Sequence, residues 1–398
     1  MSKTFLRFRD VHEYGGQLPV YQIDESGGVS QFGILQPILD GYYYEPHTSE
    51  SPQMYRSLPW FIQDMRPDGF MGRAFARNMH PELGLPERLE DWSDNHLLVA
   101  LARRGEDCIV DLIVGEEALE RYSQSVRENA PPIAARERDT SYPRMATAAM
   151  EGKPVGSLAG GEQPKFTAVV ERNGSSVNVL VKFSPMMDTP GGRRWADLLI
   201  CEHLALETIR SAGLPAAKST LHIAGGRTFL EVERFDRVGR FGRIPINSIG
   251  VVDDEFFGYR DNWMNMADRL ESSRMVSPHD ADVLRWLSAF GEMIANTDMH
   301  LGNASLILED LFKPAFSLAP AYDMLPMRYR PRDGEVTSPQ FSPPVVASVS
   351  RWEGALQHAL QFWEAAAHDE RITSDFRKIC AANRELLCGA ASGPHIVS

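Results

Sequence analysis

Three oxygen-bearing side chains at fixed offsets constrain this chain more than any other feature. Asp298 and Asn303 stand five residues apart in Asn296-Thr297-Asp298-Met299-His300-Leu301-Gly302-Asn303, and Asp323 closes Ala321-Tyr322-Asp323 twenty residues on. A fold that uses all three must return one loop to another. Phosphoryl transfer from a nucleotide asks for this set: one carboxylate orients the attacking hydroxyl, and a carboxamide oxygen and a second carboxylate hold Mg²⁺. Taken singly, each residue has a plainer reading. Asp298 suits a helix end or turn, Asn303 a turn beside Gly302, and Asp323 a loop after Ala319-Pro320. His300 reads either as a phosphate or supporting contact or as a packed structural histidine.

The upstream segments give the trio its weight. Gly156-Ser157-Leu158-Ala159-Gly160-Gly161-Glu162-Gln163-Pro164-Lys165 precedes a strand expected over Phe166–Glu171. Its glycines expose N–H groups that can cradle phosphate, although it contains neither a Walker A sequence nor G-x-G-x-x-G, and a structural turn is the alternative. Lys182 ends the apolar strand expected over Val177–Phe183; it either snorkels to solvent or offers a cation to phosphates. Glu202 lies one turn beyond Leu198 on a helix expected over Arg194–Ala212, whose apolar face is Leu198, Cys201, Ala205 and Ile209. A strand lysine paired with a helix glutamate is an arrangement protein kinases keep in place, and a surface ion pair is the alternative. The strand expected over Thr228–Glu233 runs into Val232-Glu233-Arg234-Phe235-Asp236-Arg237, a segment suited to connect two lobes and pair an adenine edge through its backbone.

With 398 residues, 43% of them hydrophobic, the chain can fill two or three packed units. Its net charge of −13 argues against a broad nucleic-acid face. The cluster Arg234, Arg237, Arg240 and Arg243 reads as a solvated loop, or alternatively as one facing phosphate. No apolar run is long enough to span a membrane, the first ten residues lack a secretory core, and the four cysteines are scattered, so a reducing cytosolic location is expected.

Residues 1–125 mix strands and helices, with turns at 13–18 and 26–29. A helical stretch over Ser57–Met79 is broken at Pro67-Asp68-Gly69, a helix over Asp91–Ala102 is capped by Asp91 or Ser93, and Cys108–Val114 reads as a strand. Residues 126–144, charged and containing Pro131-Pro132, read as a linker. Helices dominate from about 236. Ser277-Pro278 opens one whose apolar face is Val283, Leu284, Leu287, Phe290 and Ile294. Residues 331–347 read as a loop, and amphipathic helices follow around Trp352, Leu356, Leu360 and Trp363.

Together these segments resemble the HipA-like Ser/Thr kinases, toxin components of bacterial toxin–antitoxin systems. The matching stretches are Ser157-Leu158-Ala159-Gly160 with Gln163 and Lys165, Lys182, Val232–Arg237, Asn296–His300 with Asn303, and Leu318–Asp323. Ser57-Leu58-Pro59-Trp60-Phe61 with Arg66-Pro67-Asp68-Gly69 is similar to a further region of that family, so the likeness runs from about residue 10 to 330. It implies an α+β, bilobed, protein-kinase-like fold. An N-terminal mixed α/β subdomain would occupy 1–125, a kinase N-lobe 126–235, and a mostly helical C-lobe 236–398.

The resemblance also implies roles and partners. Asp298 would be the catalytic base, and Asn303 and Asp323 would bind Mg²⁺. ATP would be held by Ala159, Gly160, Gly161, Gln163, Lys165, Lys182, Glu233, Arg234, Phe235, His300, Asn303, Tyr322 and Asp323. Ser157 would be an autophosphorylation site whose added charge shuts the kinase off. The implied substrate is a protein such as an aminoacyl-tRNA synthetase, and the implied partner a HipB-like antitoxin. The chain departs from the family pattern in a loop one residue longer between Gly160 and Lys165, in Pro164, and in Gly302 where many members carry lysine. It also shows no helix-turn-helix pattern near its N-terminus. A rival reading is a pseudokinase or nucleotide-binding regulator acting through an antitoxin or DNA-binding partner. Another is a small-molecule or lipid kinase.

Overall fold

Alternating burial along Leu18–Ile23 and Val29–Ile38 starts a five-stranded antiparallel sheet. The strands are β1 (Leu18–Ile23), β2 (Val29–Ile38), β3 (Gly41–Pro46), β4 (Gln53–Tyr55) and β5 (Leu112–Val114), in the order β4-β3-β2-β1-β5. The computed structural model describes residues 16–152, 161–332, 334–344 and 349–392, without the side chains of 349–353, 391 and 392. The chain divides into two compact units. The first runs to Val181 and adds Arg234–Asn247 and Leu311–Lys313; the second comprises Lys182–Glu233, Ser248–Asp310 and the chain from Pro314.

In the first unit the β1–β2 turn is set by Asp24, whose Oδ1 accepts from the N–H groups of Ser26 and Gly28, both at 2.8 Å. Phe61 packs edge-on against Phe32, Tyr44 and Trp60, covering one face of the sheet. The stretch expected as a broken helix is a short helix, Trp60–Gln63, and a long one, Gly69–Leu83, separated at Pro67-Asp68 as anticipated. Of the two candidate caps for the next helix, Asp94–Arg104, the structure uses Ser93, which forms a capping box with His96. Strands β6 (Lys165–Arg172) and β7 (Ser175–Phe183) form a hairpin around Asn173-Gly174, both of which have positive φ.

Three expectations for this unit are corrected. The supposed linker is structured: the helix Glu116–Glu128 enters it, Ile133 pairs with β6 through Val169 and Glu171, and the helix Arg138–Met150 follows, with Tyr142 and Ala146 fully buried. Only Leu112–Val114 of the expected Cys108–Val114 strand is extended in a sheet. The carbonyls of Glu106, Cys108 and Val110 instead accept from the guanidinium groups of Arg237 and Arg243. Finally, the arginine cluster is not a solvated loop. Arg243 is 3% exposed, and Arg234 and Arg237 both bind the buried Asp236 and the half-exposed Asp107. Burial lowers the Arg243 pKa to about 10, and neighbouring Arg237 adds to the effect.

The second unit is built on the helix Pro190–Ser211. Thr189 caps it, accepting from the Gly192 N–H at 3.0 Å, and Pro190 fixes its first turn, so it starts four residues before the expected Arg194. Leu198, Cys201, Ala205 and Ile209 are its buried stripe, as the spacing predicted. Strands β8 (Ser219–Ala224) and β9 (Arg227–Glu233) pair antiparallel from Ser219↔Val232 to Ala224↔Arg227. Helix Pro278–Met293 is capped by Ser277 and packs against the helices Trp263–Ser272 and Val349–His368. The indole N–H of Trp363 donates to the carbonyl of Met293 at 2.9 Å, tying the last-but-one helix to the end of the Pro278 helix. No helix among the described residues is long and apolar enough to cross a membrane.

Candidate active site

The second unit brings Lys182, Glu202 and Asp323 into direct contact. Lys182 is the penultimate residue of β7, and its side chain is 3% exposed. Nζ donates to Glu202 Oε1 at 2.5 Å and to the carboxylate of Asp323. Burial opposes the charge on the ammonium, but the carboxylates of Asp323 and Glu202 outweigh it and raise the lysine pKa above its ordinary range. The snorkelling alternative for Lys182 and the surface-pair alternative for Glu202, which is 1% exposed, are both excluded. A buried cation left without such partners would carry a desolvation cost of several kcal/mol.

The loop that carries Asp298 leaves its helix by a defined turn. Asn296 N–H donates to the Gly291 carbonyl at 2.9 Å and Ala295 N–H to that of Glu292 at 3.1 Å. This is a Schellman ending, and it places Ala295 at φ +59, where glycine is usual. The turn buries Asn296, whose two amide atoms bridge the two acidic loops. Its Oδ1 accepts from the Asp298 N–H at 3.1 Å, and its Nδ2 donates to the Asp323 carbonyl at 3.2 Å. The sequence reading assigned Asn296 no role. Its position two residues before Asp298 was the available signal, because a short amide side chain there reaches back to the local backbone.

Asn303 folds onto the same loop, with Nδ2 donating to the Asp298 carbonyl at 2.7 Å. His300 is exposed and caps the short turn Leu301–Asn303 by accepting from the Gly302 N–H at 3.1 Å, so the packed structural alternative for it is corrected. Trp263 Nε1 donates to the His300 carbonyl at 3.0 Å, and the Tyr322 hydroxyl donates to the Gly302 carbonyl at 3.0 Å and meets Ser305 Oγ at 2.8 Å. Tyr322 is therefore a brace between the two loops through its hydroxyl. Asp323 has φ +53, a conformation few non-glycine residues hold. It is fixed from both sides, by the lysine and by Asn296, while Ala321 exchanges backbone hydrogen bonds with the 215–217 segment at 3.0 and 2.9 Å.

In the first unit, Gly161, Gln163 and Lys165 are described, whereas Ser157, Ala159 and Gly160 lie outside the described residues. Gln163 Nε2 is buried and has no hydrogen-bond partner among the described residues. At the end of β9, the Glu233 N–H donates to the Lys218 carbonyl at 2.8 Å, and the Arg234 N–H donates to that of Asn178 at 2.9 Å. These two donors are committed to the fold, and Phe235 follows them.

Antiparallel sheets combined with helices make this an α+β protein, and its second unit carries a largely buried Lys–Glu–Asp cluster joined through Asn296 to an Asp-x-x-x-x-Asn loop. Residues 157–386 match the HipA-like C-terminal domain family, and residues 14–123 match the middle domain of YjjJ-like toxins. The chain is 34% identical to Toxin YjjJ of Escherichia coli K12 over 383 residues, covering 94% of this chain and 85% of that protein. It belongs to the HipA-like toxin family. Among solved structures, it aligns with HipA from the HipA, HipB and operator DNA complex of Shewanella oneidensis MR-1 at a TM-score of 0.49 and 14% identity, covering 94% of this chain and 96% of that one. It also aligns with the Helicobacter pylori proinflammatory kinase CtkA at 0.39 and 12%, covering 58% and 90%.

Proposed function

We propose that this chain is an ATP- and Mg²⁺-dependent kinase that phosphorylates a serine or threonine of a protein and thereby inhibits growth. The observation that carries the reading is the Lys182 ammonium held between Glu202 and Asp323, with Asn296 linking Asp323 to the Asp298 loop. The donor set fits the proposed metal. A carboxylate on Asp323 and a carboxamide oxygen on Asn303 are hard oxygen ligands, suited to Mg²⁺ with substrate phosphates completing its shell. Bound Mg²⁺ supplies neutralisation of the phosphate oxygens. The buried donor of Gln163 fits a nucleotide phosphate oxygen.

The chain's own residues then have separable tasks. Asp298 orients the substrate hydroxyl and takes its proton as the new oxygen–phosphorus bond forms and the bond to the ADP leaving group breaks. Lys182 offers its charge to the phosphates from a fixed position, because the two carboxylates keep it protonated and in place. Catalysis rests on positioning and electrostatics, without a covalent enzyme intermediate. The name of the Escherichia coli relative supports a toxin role. A translation-related substrate such as an aminoacyl-tRNA synthetase, a HipB-like antitoxin partner and a cytosolic location complete the proposal.

The test is the intact mass of protein shown to start unphosphorylated, incubated with and without ATP–Mg²⁺. Wild type is expected to gain phosphate and Asp298→Asn to gain none. Loss of the gain in Ser157→Ala as well would place self-modification at that serine. If neither a protein substrate nor the chain itself is labelled, the kinase reading falls and the nucleotide-binding regulator takes its place.

A further inference from the structure

The far end of the glycine-rich loop is not held by its own hairpin alone. The helix Gly69–Leu83 begins against it. Phe70 sits in the helix's first turn, where N–H groups have no partner within the helix, and its N–H donates to the Gly161 carbonyl at 2.9 Å. The two backbones approach so closely that a Cβ on Gly69 would lie 2.3 Å from the Gly161 oxygen and 2.7 Å from its nitrogen. Both glycines have positive φ, +60 for Gly69 and +93 for Gly161; a side chain on Gly69 would meet the Gly161 backbone, and one on Gly161 would be strained and would have to displace the Lys165 ammonium. One turn along the helix, Arg73 grips Glu162 with a two-pronged pair, Nη1 to Oε1 at 2.9 Å and Nη2 to Oε2 at 2.6 Å. Beneath Gly161 lies the ammonium of Lys165, 2.6 Å from where a Cβ on that glycine would be.

We propose that this helix anchors the descending end of the phosphate loop through Gly161 and Glu162, which makes Arg73 a positioning residue for ATP. The inference rests on the nucleotide-loop reading of Gly161–Lys165. It gives the N-terminal segment a task in the nucleotide site through a contact 89 residues apart in sequence. It also gives a sign that simple charge effects do not. Lysine at 162 would bring positive charge to a triphosphate and, by charge alone, tighten ATP; through the anchor it repels Arg73 and weakens ATP.

The experiment uses the full chain as wild type, Glu162→Lys, Arg73→Glu and the charge-swapped double variant. Two quantities are read: ATP–Mg²⁺ affinity by titration calorimetry, and amide hydrogen exchange of the 161–166 peptide without nucleotide. Because both side chains are partly exposed, modest effects are expected. Glu162→Lys should weaken ATP about three- to tenfold and speed exchange of that peptide, and the double variant should return both to within about twofold of wild type. Tighter or unchanged ATP binding in Glu162→Lys, with exchange like wild type, overturns the anchor. Wild-type protein that binds no ATP overturns the kinase reading and the nucleotide half of this inference, while the exchange result still decides whether the helix holds the loop.

Discussion

Lys182 and Asp323, 141 residues apart in the chain, share a partly buried hydrogen bond, and the same ammonium also holds the buried Glu202. Three charges of which two are negative are stable there only as a set. Lys182→Met is expected to lower phosphoryl transfer by about 10²–10³. It should also destabilise the second unit by about 3–5 kcal/mol, since two carboxylates lose their cation. Adding Glu202→Gln should recover part of the urea-denaturation midpoint and none of the activity. Equal midpoints for wild type and Lys182→Met would mean the cluster is not formed in solution.

Asn296 positions two acidic loops with one side chain. Asn296→Ala removes both hydrogen bonds and touches no reacting atom. Turnover should fall by about 10² through misplacement of Asp298, with ATP affinity changed far less. Asp298→Asn should cost about 10²–10⁴ and leave ATP affinity near wild type. Comparing kcat and KM for ATP across the two variants checks this, and a pure KM effect of Asn296→Ala would contradict it.

Ala295 occupies the left-handed position that glycine fills at most helix ends of this type. Ala295→Gly should therefore raise stability, by about 0.5 kcal/mol once the greater freedom of glycine in the unfolded chain is set against the relieved backbone strain. Chemical denaturation of the two proteins side by side gives the answer. A lower midpoint for the glycine variant would show that Ala295 contributes packing that outweighs its strain.

His203 gives a pH dependence. Its Nδ1 lies 2.9 Å from Ser219 Oγ, and burial is the main cause that lowers its pKa below the ordinary histidine value. Below pH ~6.5 the unfolded chain takes up a proton that the folded protein resists, so stability falls with acidification through that window and is full above it. His203→Gln keeps a polar partner for Ser219 and should flatten the stability profile between pH 7 and about 5. An unchanged slope would locate the acid sensitivity elsewhere.

How much of this was legible in the sequence depended on the range of the interactions. Ser93 and Ser277 are caps whose partners lie three residues away; local spacing named Ser277 and offered Ser93 as one of two candidates. The helix Pro190–Ser211 declared its buried stripe through large residues at helical intervals. The helix Arg138–Met150 did not, because its inward residues include Ala146 and Ala149, which contrast weakly with their neighbours, and because it contains Pro143. The arginines at 234, 237 and 243 looked solvated because nothing near them in sequence identifies Asp107, some 130 residues earlier, as a partner. The Asp298, Asn303 and Asp323 spacing was plain, whereas the Lys182–Glu202 pair stood beside a surface ion pair as one of two readings. That the lysine also takes Asp323, and that Asn296 ties the two loops together, follows only once distant segments are packed.

The first unit is completed by Arg234–Asn247 and Leu311–Lys313, pieces that follow Val181 by as many as 132 residues. A ribosome adding roughly 5–20 residues per second needs about 7–26 s to travel that distance. During that interval the arginines that occupy the Glu106–Val110 carbonyls are missing for a time, and the sheet edge beside them waits unfinished. Synthesis thus imposes an order on this molecule. Its first-made segment stays incomplete until Lys313 has been added, and the second unit, which takes the chain from Pro314 and with it Asp323, closes later still.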